Sequence, residues 1–251
     1  LVFNVSLSDP VDVDTLVTYS TSDGTATTSD GDYVAQNNQT LIIPAGQTTG
    51  AIVVSTVDDQ RVEPDESIAV NLTAVTASGR NVTIADGSGL GTIGNNDSAG
   101  VSIADALTSE GGDLVFNVSL SNPVDVATVV TYSTSDGTAT TSDGDYVAQN
   151  NQTLVIPAGQ TTGAIVIATI DDQKVEPDES ITVNLTAVAA SGRAVSIVDG
   201  SGLGTISNND SAGVSIADAA ASEGGDLVFN VSLSDPVDVD TLVTYSTSDG
   251  T

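Results

Sequence analysis

The octapeptide Leu-Val-Phe-Asn-Val-Ser-Leu-Ser begins at Leu1, at Leu114 and again at Leu227, a spacing of 113 residues. Aligning 1–97 with 114–210 leaves 14 differences, so 83 of 97 positions match, and 227–251 repeats 1–25 without a change. Most changes within apolar stretches keep shape and hydrophobicity, as in Leu16/Val129, Ile42/Val155 and Val54/Ile167, which a packed β core tolerates. A period this long exceeds a solenoid turn and fits one whole domain per repeat. The expected organisation is 1–97 as a repeat lacking its first strand, 98–210 as a complete repeat, and 211–251 as the truncated start of a third. The chain then reads as a window on a longer array. The words Asn-Asn-Asp-Ser-Ala-Gly-Val-Ser-Ile-Ala-Asp at 95–105 and 208–218 carry one repeat into the next without a flexible linker.

Within a repeat, side chains alternate with the two-residue period of a strand. Leu114, Phe116, Val118 and Leu120 share one face, opposite Asn117 and Ser119. Ile181, Val183 and Leu185 point inward, with Thr182, Asn184 and Thr186 outward. The runs at 128–134 and 164–170 are rich in β-branched residues, and turn signals such as Ser-Asp-Gly-Thr and Pro-Ala-Gly separate them. About seven short strands per repeat and no amphipathic helix predict an all-β fold of tandem immunoglobulin-like antiparallel β-sandwiches. Tyr19, Tyr132 and Tyr245 are expected in the core. The glycine-rich Asp-Gly-Ser-Gly-Leu-Gly lacks a following helix pattern and reads as a tight strand connection, not a phosphate loop.

Composition restricts the chemistry. Thirty-four acids face four bases, Arg61, Arg80, Lys174 and Arg193, for a formal net charge of −30. No basic patch exists to displace counterions from nucleic acid or to hold an anionic membrane surface. No apolar run approaches the roughly 18–20 residues that span a bilayer. Without Cys or His there is no thiolate or imidazole ligand and no ordinary general base, so no enzymatic activity is expected. Oxygen ligands remain, and these suit hard cations such as calcium.

Residues 171–180, Asp-Asp-Gln-Lys-Val-Glu-Pro-Asp-Glu-Ser, hold five of the acids, and 58–67 repeat the stretch with Arg61 in place of Lys174. Two readings fit it: a solvated acidic surface, or a calcium site. In the second, Asp171 and Asp172 leave a strand end together, the turn exposes a backbone carbonyl, and Glu176 and Glu179 return from its other side. Pro177 stiffens that turn. The glutamates favour calcium. The chain has 28 Asp but only six Glu: four lie in Val-Glu-Pro-Asp-Glu and two, Glu110 and Glu223, in Ser-Glu-Gly. General surface acidity would scatter glutamate along the outward strand faces, where Thr, Ser and Asn stand instead.

The ordered motifs Ser-Glu-Gly-Gly-Asp-Leu-Val-Phe-Asn-Val-Ser-Leu-Ser, the Gly-Asp-Tyr loop, the Ile-Asp-Asp-Gln-Lys-Val-Glu-Pro-Asp-Glu-Ser stretch and the closing Gly-Thr-Ile-Ser-Asn-Asn-Asp resemble tandem Calx-β domains over all of 98–210 and the partial repeats beside it. The resemblance implies calcium bound at one end of the sandwich. Transferred motif by motif, the implied ligands are Glu110, Asp145, Asp171, Asp172, Glu176, Glu179, the Lys174 carbonyl, and the closing triplet Asn208, Asn209 and Asp210. In the first repeat they are Asp32, Asp58, Asp59, Glu63, Glu66, Asn96, Asp97 and the Arg61 carbonyl; in the third, only Glu223. The family's triplet is often all Asp, so Asn-Asn-Asp lowers the charge available, and one to three ions per junction are expected. Asp136, in the Asp-Gly-Thr turn, is expected outside the site.

The implied role is structural: a segment of an extracellular filament or adhesin stalk, whose partners are neighbouring repeats or identical subunits and whose junctions are stiffened by calcium. A calcium-sensing domain and a ligand-binding adhesin module are the alternatives. Sensors need few domains coupled to an effector, and an adhesin tip needs a loop unique to one copy, which this sequence lacks.

Overall fold

A computed structural model describes residues 1–250, and these divide into two compact units: Leu1–Ser98 with Asn122–Asp125, and Ala99–Ser121 with Val126 onward. All regular structure is β. No helix long and apolar enough to cross a membrane occurs among the described residues.

Unit 1 carries β1 (Val2–Ser6), β2 (Thr15–Asp23), β3 (Gln39–Ile43), β4 (Thr49–Val53), β5 (Glu66–Thr76) and β6 (Ser88–Ile93). They form a four-stranded sheet in the order β3-β2-β5-β6 and a two-stranded sheet β1-β4. Between them pack Tyr19, Tyr33, Ile52, Val54, Ile68 and Val70, flanked by Phe3, Val5 and Leu72.

Unit 2 has the fuller sandwich. Its strands are β7 (Ala99–Ile103), β8 (Ala106–Ser109), β9 (Asp113–Leu120), β10 (Thr128–Asp136), β11 (Gln152–Ile156), β12 (Thr162–Ala168), β13 (Glu179–Ala189), β14 (Val195–Asp199) and β15 (Ser201–Ser207). One sheet runs β11-β10-β13-β15-β8 and the other β12-β9-β7-β14. Two pairings, β14 with β7 and β15 with β8, are parallel, and the rest are antiparallel. The first strand of the repeat therefore splits at Ala104–Asp105, and each half joins a different sheet.

The alternation predicted for β9 holds: Leu114, Phe116, Val118 and Leu120 are buried, while Val115 faces out. Full burial of one such side chain contributes about 1.5–3 kcal/mol. Opposite Phe116 the Gly-Leu-Gly of β15 has a packing role. A Cβ on Gly204 would stand 2.8 Å from Phe116 Cζ and 2.8 Å from Leu114 Cδ1, so only glycine lets the strand pass this close. The glycine-rich run is thus a turn at Asp199–Gly200 followed by a core-facing strand, and the sequence reading as a pure connection is corrected there.

Tyr19 and Tyr132 lie in the core with hydroxyls donating to Gln36 Oε1 (2.7 Å) and Gln149 Oε1 (2.6 Å). Tyr245 does not: it is 85% exposed. It lies in the part of the third repeat, 217–250, where β17 (Val231–Leu233) pairs only with β16 (Val214–Ile216).

Candidate metal centre

The acids converge at the sandwich end where β13 and β5 begin. Strand β12 runs out at Ala168, and Thr169 then donates its amide and its hydroxyl to Gly112 O at 3.1 and 2.7 Å. That pins the Asp171–Asp172 pair beside the Glu110–Gly112 turn. Gly111 has φ +74°, and a Cβ there would meet Asp171 Cβ at 2.9 Å. The turn therefore needs glycine twice over, for its left-handed backbone and for its approach to Asp171.

The Gly-Asp-Tyr loop is held by a contact that the sequence did not announce. Tyr146 is buried and its hydroxyl donates to Asp136 Oδ1 at 2.6 Å, while Asp136 also receives the Thr141 amide at 3.2 Å. Asp136 is thus no bystander but a support for the site, contrary to the expectation that it stands apart. Burial first, then the hydrogen bond from Tyr146 to Asp136, pushes the phenol up to about 12. With the ring fixed, Asp145 presents its carbonyl to the Ile170 amide (2.9 Å) and its Oδ2 to the Thr140 amide (2.6 Å). The first repeat copies this: Tyr33 donates to Asp23 (2.7 Å), and Asp32 receives Thr27 N–H (2.6 Å).

Two clusters form in unit 2, Glu110–Asp172–Asp210 and Asp145–Glu176–Glu179, and one in unit 1, Asp32–Glu63–Glu66. Within each, one carboxylate oxygen from every member lies within 4.8 Å of the others. The continuous stretch 171–179 is thus divided: Asp172 joins Glu110 and Asp210, and the two glutamates join Asp145. Asn208 braces the arrangement, accepting the Glu176 amide on Oδ1 (3.2 Å) and donating through Nδ2 to Asp210 O (3.0 Å). Asn95 does the same for Glu63 (3.3 Å) and Asp97 (3.0 Å).

Other expected members stand just outside the clusters. Asn209 turns its amide nitrogen toward Asp171 Oδ1 (3.2 Å), and Asn96 does so toward Asp58 Oδ1 (3.0 Å), so both donate to an acid. Asp172 and Asp59 each cap their turn by accepting the amide of Lys174 (2.7 Å) or Arg61 (2.8 Å). The side chains of those two bases have a role the sequence reading gave only to their carbonyls. Lys174 Nζ pairs with Glu176, and Arg61 Nε lies 3.2 Å from Glu63 Oε1, supplying the internal counter-charge. Glu223 is exposed and belongs to none of the three clusters.

Crowding raises the proton affinity of these groups. Glu110 is pushed up to about 7, by burial first and then by Asp210, Asp172 and Glu176. Glu179 rises to about 7 through burial and the charges of Asp145 and Glu176, and Glu66 to about 7 through burial, Asp32 and Glu63. Burial also lifts Glu63, against the opposing pull of Arg61. Glu110 Oε2 and Asp210 Oδ2 are buried acceptors without a hydrogen-bond donor. As two carboxylates they cannot bond to each other; one shared proton or one cation resolves the conflict. An all-oxygen, multiply charged donor set with orphaned inward-facing oxygens fits a hard divalent cation.

A tandem array of antiparallel-rich sandwiches with an acid-lined end is the class that fold and site define. Residues 2–107 and 95–220 match the model of the Calx-beta domain, and the chain belongs to that family, with the domains in tandem. Among solved structures it is similar to CBD12 from CALX1.2, at 19% identity over 82% of this chain and 92% of that one, with a TM-score of 0.39. It is also similar to the apo-form Calx CBD1 domain (23% identity, 45% of this chain and 100% of that one, TM-score 0.40). A third is the calcium binding domain CBD12 of CALX1.1 (20% identity, 76% and 75%, TM-score 0.35). No curated protein matches the chain.

Proposed function

We propose that this chain is a segment of an extracellular repeat array whose repeats each bind calcium at their acidic end, and that the bound ion stiffens the junction with the neighbouring repeat. Each 113-residue repeat is one domain in this reading, with 98–210 the complete one. The observation that supports it most is the pair of orphaned oxygens, Glu110 Oε2 and Asp210 Oδ2, set among further carboxylates. In unit 2, Glu110, Asp172 and Asp210 would hold one ion and Asp145, Glu176 and Glu179 another, with Asp171 and Asn209 beside them; in unit 1 the holders are Asp32, Glu63 and Glu66. When bound, the ion supplies positive charge that these crowded acids lack. The protein's own part is to fix the oxygens: Tyr146 holds the Asp145 loop, Thr169 the strand end, and Asn208 the turn.

Near-identical repeats without a loop unique to one copy suit a spacer whose length and stiffness matter. Two measurements test the reading. Calcium at millimolar concentration, against chelator at equal ionic strength, raises the melting temperature, since the folded site binds and the unfolded chain does not. Asp172→Ala removes most of the unit 2 increment, whereas Asp218→Asn, in exposed coil, leaves it intact. Small-angle scattering then shows a longer, stiffer particle with calcium than with chelator. A melting temperature indifferent to calcium refutes the site; binding with unchanged dimensions and flexibility refutes the stiffening.

A further inference from the structure

We infer that the Pro-Val-Asp loop of each repeat is a docking element for the Val-Glu-Pro turn of the repeat before it, and that through this pairing Val124 and Val237 position the glutamates of the acid clusters. The calcium half of this inference rests on the proposed function; the docking half does not.

Residues Asn122–Asp125 group with unit 1 although they follow β9 in sequence. There Val62 and Val124 form a parallel bridge. The Val62 amide donates to Pro123 O (2.9 Å) and the Asp125 amide donates to Val62 O (3.1 Å). Both polar groups of Val62 are thus satisfied by the loop, as in the addition of a strand to an open edge. The pairing recurs 113 residues later inside unit 2. Val175 bridges Val237, with Val175 N–H to Pro236 O at 2.9 Å and Asp238 N–H to Val175 O at 3.2 Å.

Val62 is 0% and Val124 1% exposed, yet neither belongs to the buried cluster of the unit 1 sandwich. Both valines are buried at the bridge, one residue from Glu63. The proline has no N–H to contribute and presents only its carbonyl, which suits a short one-sided pairing. The loop is already shaped without a docked turn. In the first repeat Asp9–Asp12 carries the same Pro-Val-Asp; Val11 O accepts the Gly46 amide (2.7 Å), and Arg80 holds both Asp12 oxygens at 2.8 Å.

Docking fixes the carbonyl and amide immediately before Glu63, so the glutamate enters its cluster from a restrained backbone. Calcium binding, which needs the glutamate in place, and docking, which restrains the backbone that carries it, therefore favour each other, by the same factor in both directions.

The test uses the full chain with Val124→Asn, Val124→Ile and, for the second pairing, Val237→Asn. Hydrogen exchange without calcium is followed in the segments 58–66 and 171–179, with 68–72 of β5 as the control for folding. Val124→Asn speeds exchange in 58–66 at least tenfold while 68–72 and 171–179 stay as in the parent; Val124→Ile preserves protection; Val237→Asn gives the converse pattern. Calcium titration then shows about tenfold weaker binding for unit 1 alone in Val124→Asn, restored in Val124→Ile. Unchanged exchange in 58–66 overturns the docking. Faster exchange with unaltered calcium affinity overturns the positioning. If the parent chain binds no calcium, the proposed function falls, and the exchange data still decide whether the loop docks. If Val124→Asn loses protection in 68–72, Val237→Asn carries the test, since Val237 lies beyond the unit 2 sandwich.

Discussion

Acidification should act in opposite directions on the metal-free and the calcium-loaded protein. Glu66, Glu110 and Glu179 each take up a proton near pH 7 in the folded chain instead of near their ordinary 4.5. Between those values the folded state holds more protons than the unfolded one, so metal-free stability falls as pH rises toward 7 and is regained as pH drops. Each extra proton is worth at most about 1.4 kcal/mol per pH unit. Water reaches these half-buried clusters, and screening cuts that to roughly half. Unit 1 has one such group and unit 2 has two, giving slopes of about 0.7 and about 1.4 kcal/mol per pH unit. At about 2–4 °C per kcal/mol for a unit of the size of unit 2 and about 4–8 °C for one of the size of unit 1, each gains roughly 3–6 °C per pH unit on acidification.

With calcium the proton becomes a competitor. At pH 5.5 each displaced proton weakens binding about 15-fold relative to pH 7, where the carboxyl is already half protonated, because binding must first strip the carboxyl. Calorimetric melting at pH 7.5 and 5.5, with calcium and with chelator, reads both effects. Titrations in buffers of different ionisation enthalpy count the protons released, about one per cluster near pH 6. A metal-free melting profile that is flat from pH 7.5 to 5.5, or a calcium increment of equal size at both, refutes the picture of crowded carboxylates sharing protons.

Two substitutions separate charge from geometry. Glu110→Gln places an amide donor opposite the orphaned Asp210 Oδ2, so it should raise the metal-free melting temperature, by about 1 kcal/mol of stability, while abolishing the calcium increment of that cluster in calorimetry. Tyr146→Phe removes the 2.6 Å bond to Asp136 and should cost about 1–2 kcal/mol, together with a severalfold loss of calcium affinity in unit 2. A titration showing parent affinity would mean that the Asp145 loop holds itself.

Much of this was legible in the residues. Strict alternation assigned the buried face of β9 and of β13 without error, because a half-buried strand writes its burial directly into the sequence. The nine acids that the fold gathers are among those the family resemblance implied, whereas Asp58, Asp59, Asp97, Asp171 and Glu223, implied as well, stand outside the clusters. The partition of the acids was not legible: spacing alone does not say that Asp172 turns toward Glu110 while Glu176 turns toward Asp145, since that depends on where β12 ends and which loop Tyr146 pins. The split of the first strand was hidden because Ala104–Asp105 carries no turn signal of its own. The Pro-Val-Asp loop reads as an ordinary turn, and only the fold shows a valine amide docked on its carbonyl. Tyr245 misled because its local sequence matches that of Tyr132; a strand sequence places a side chain in a core only where partner strands exist.

The 14 differences between the matching repeats add an argument that does not depend on any relative. The loop 27–37 and its copy 140–150 are identical, and 58–66 differs from 171–179 only by Arg61/Lys174. That exchange keeps the charge and keeps the ion pair to the neighbouring glutamate. At the opposite end of the sandwich, between the end of β5 and the start of β6, Asn81, Thr83 and Ala85 become Ala194, Ser196 and Val198. Asp14, which caps the Ala45 amide at 2.9 Å, becomes Ala127, and the cap is lost. Both ends are exposed loops of one fold, so a purely structural tolerance would let them drift alike. At the acid end the acids themselves are held, with changes only beside them at Val57/Ile170, Arg61/Lys174 and Gly94/Ser207, while the far end drifts; in the docking loop the first residue varies, Asp9, Asn122 and Asp235, and the Pro-Val-Asp that contacts the turn does not. An acidic surface kept only for solubility needs a total of charge, not a fixed set of positions. Fixed positions around orphaned oxygens are what a bound cation requires.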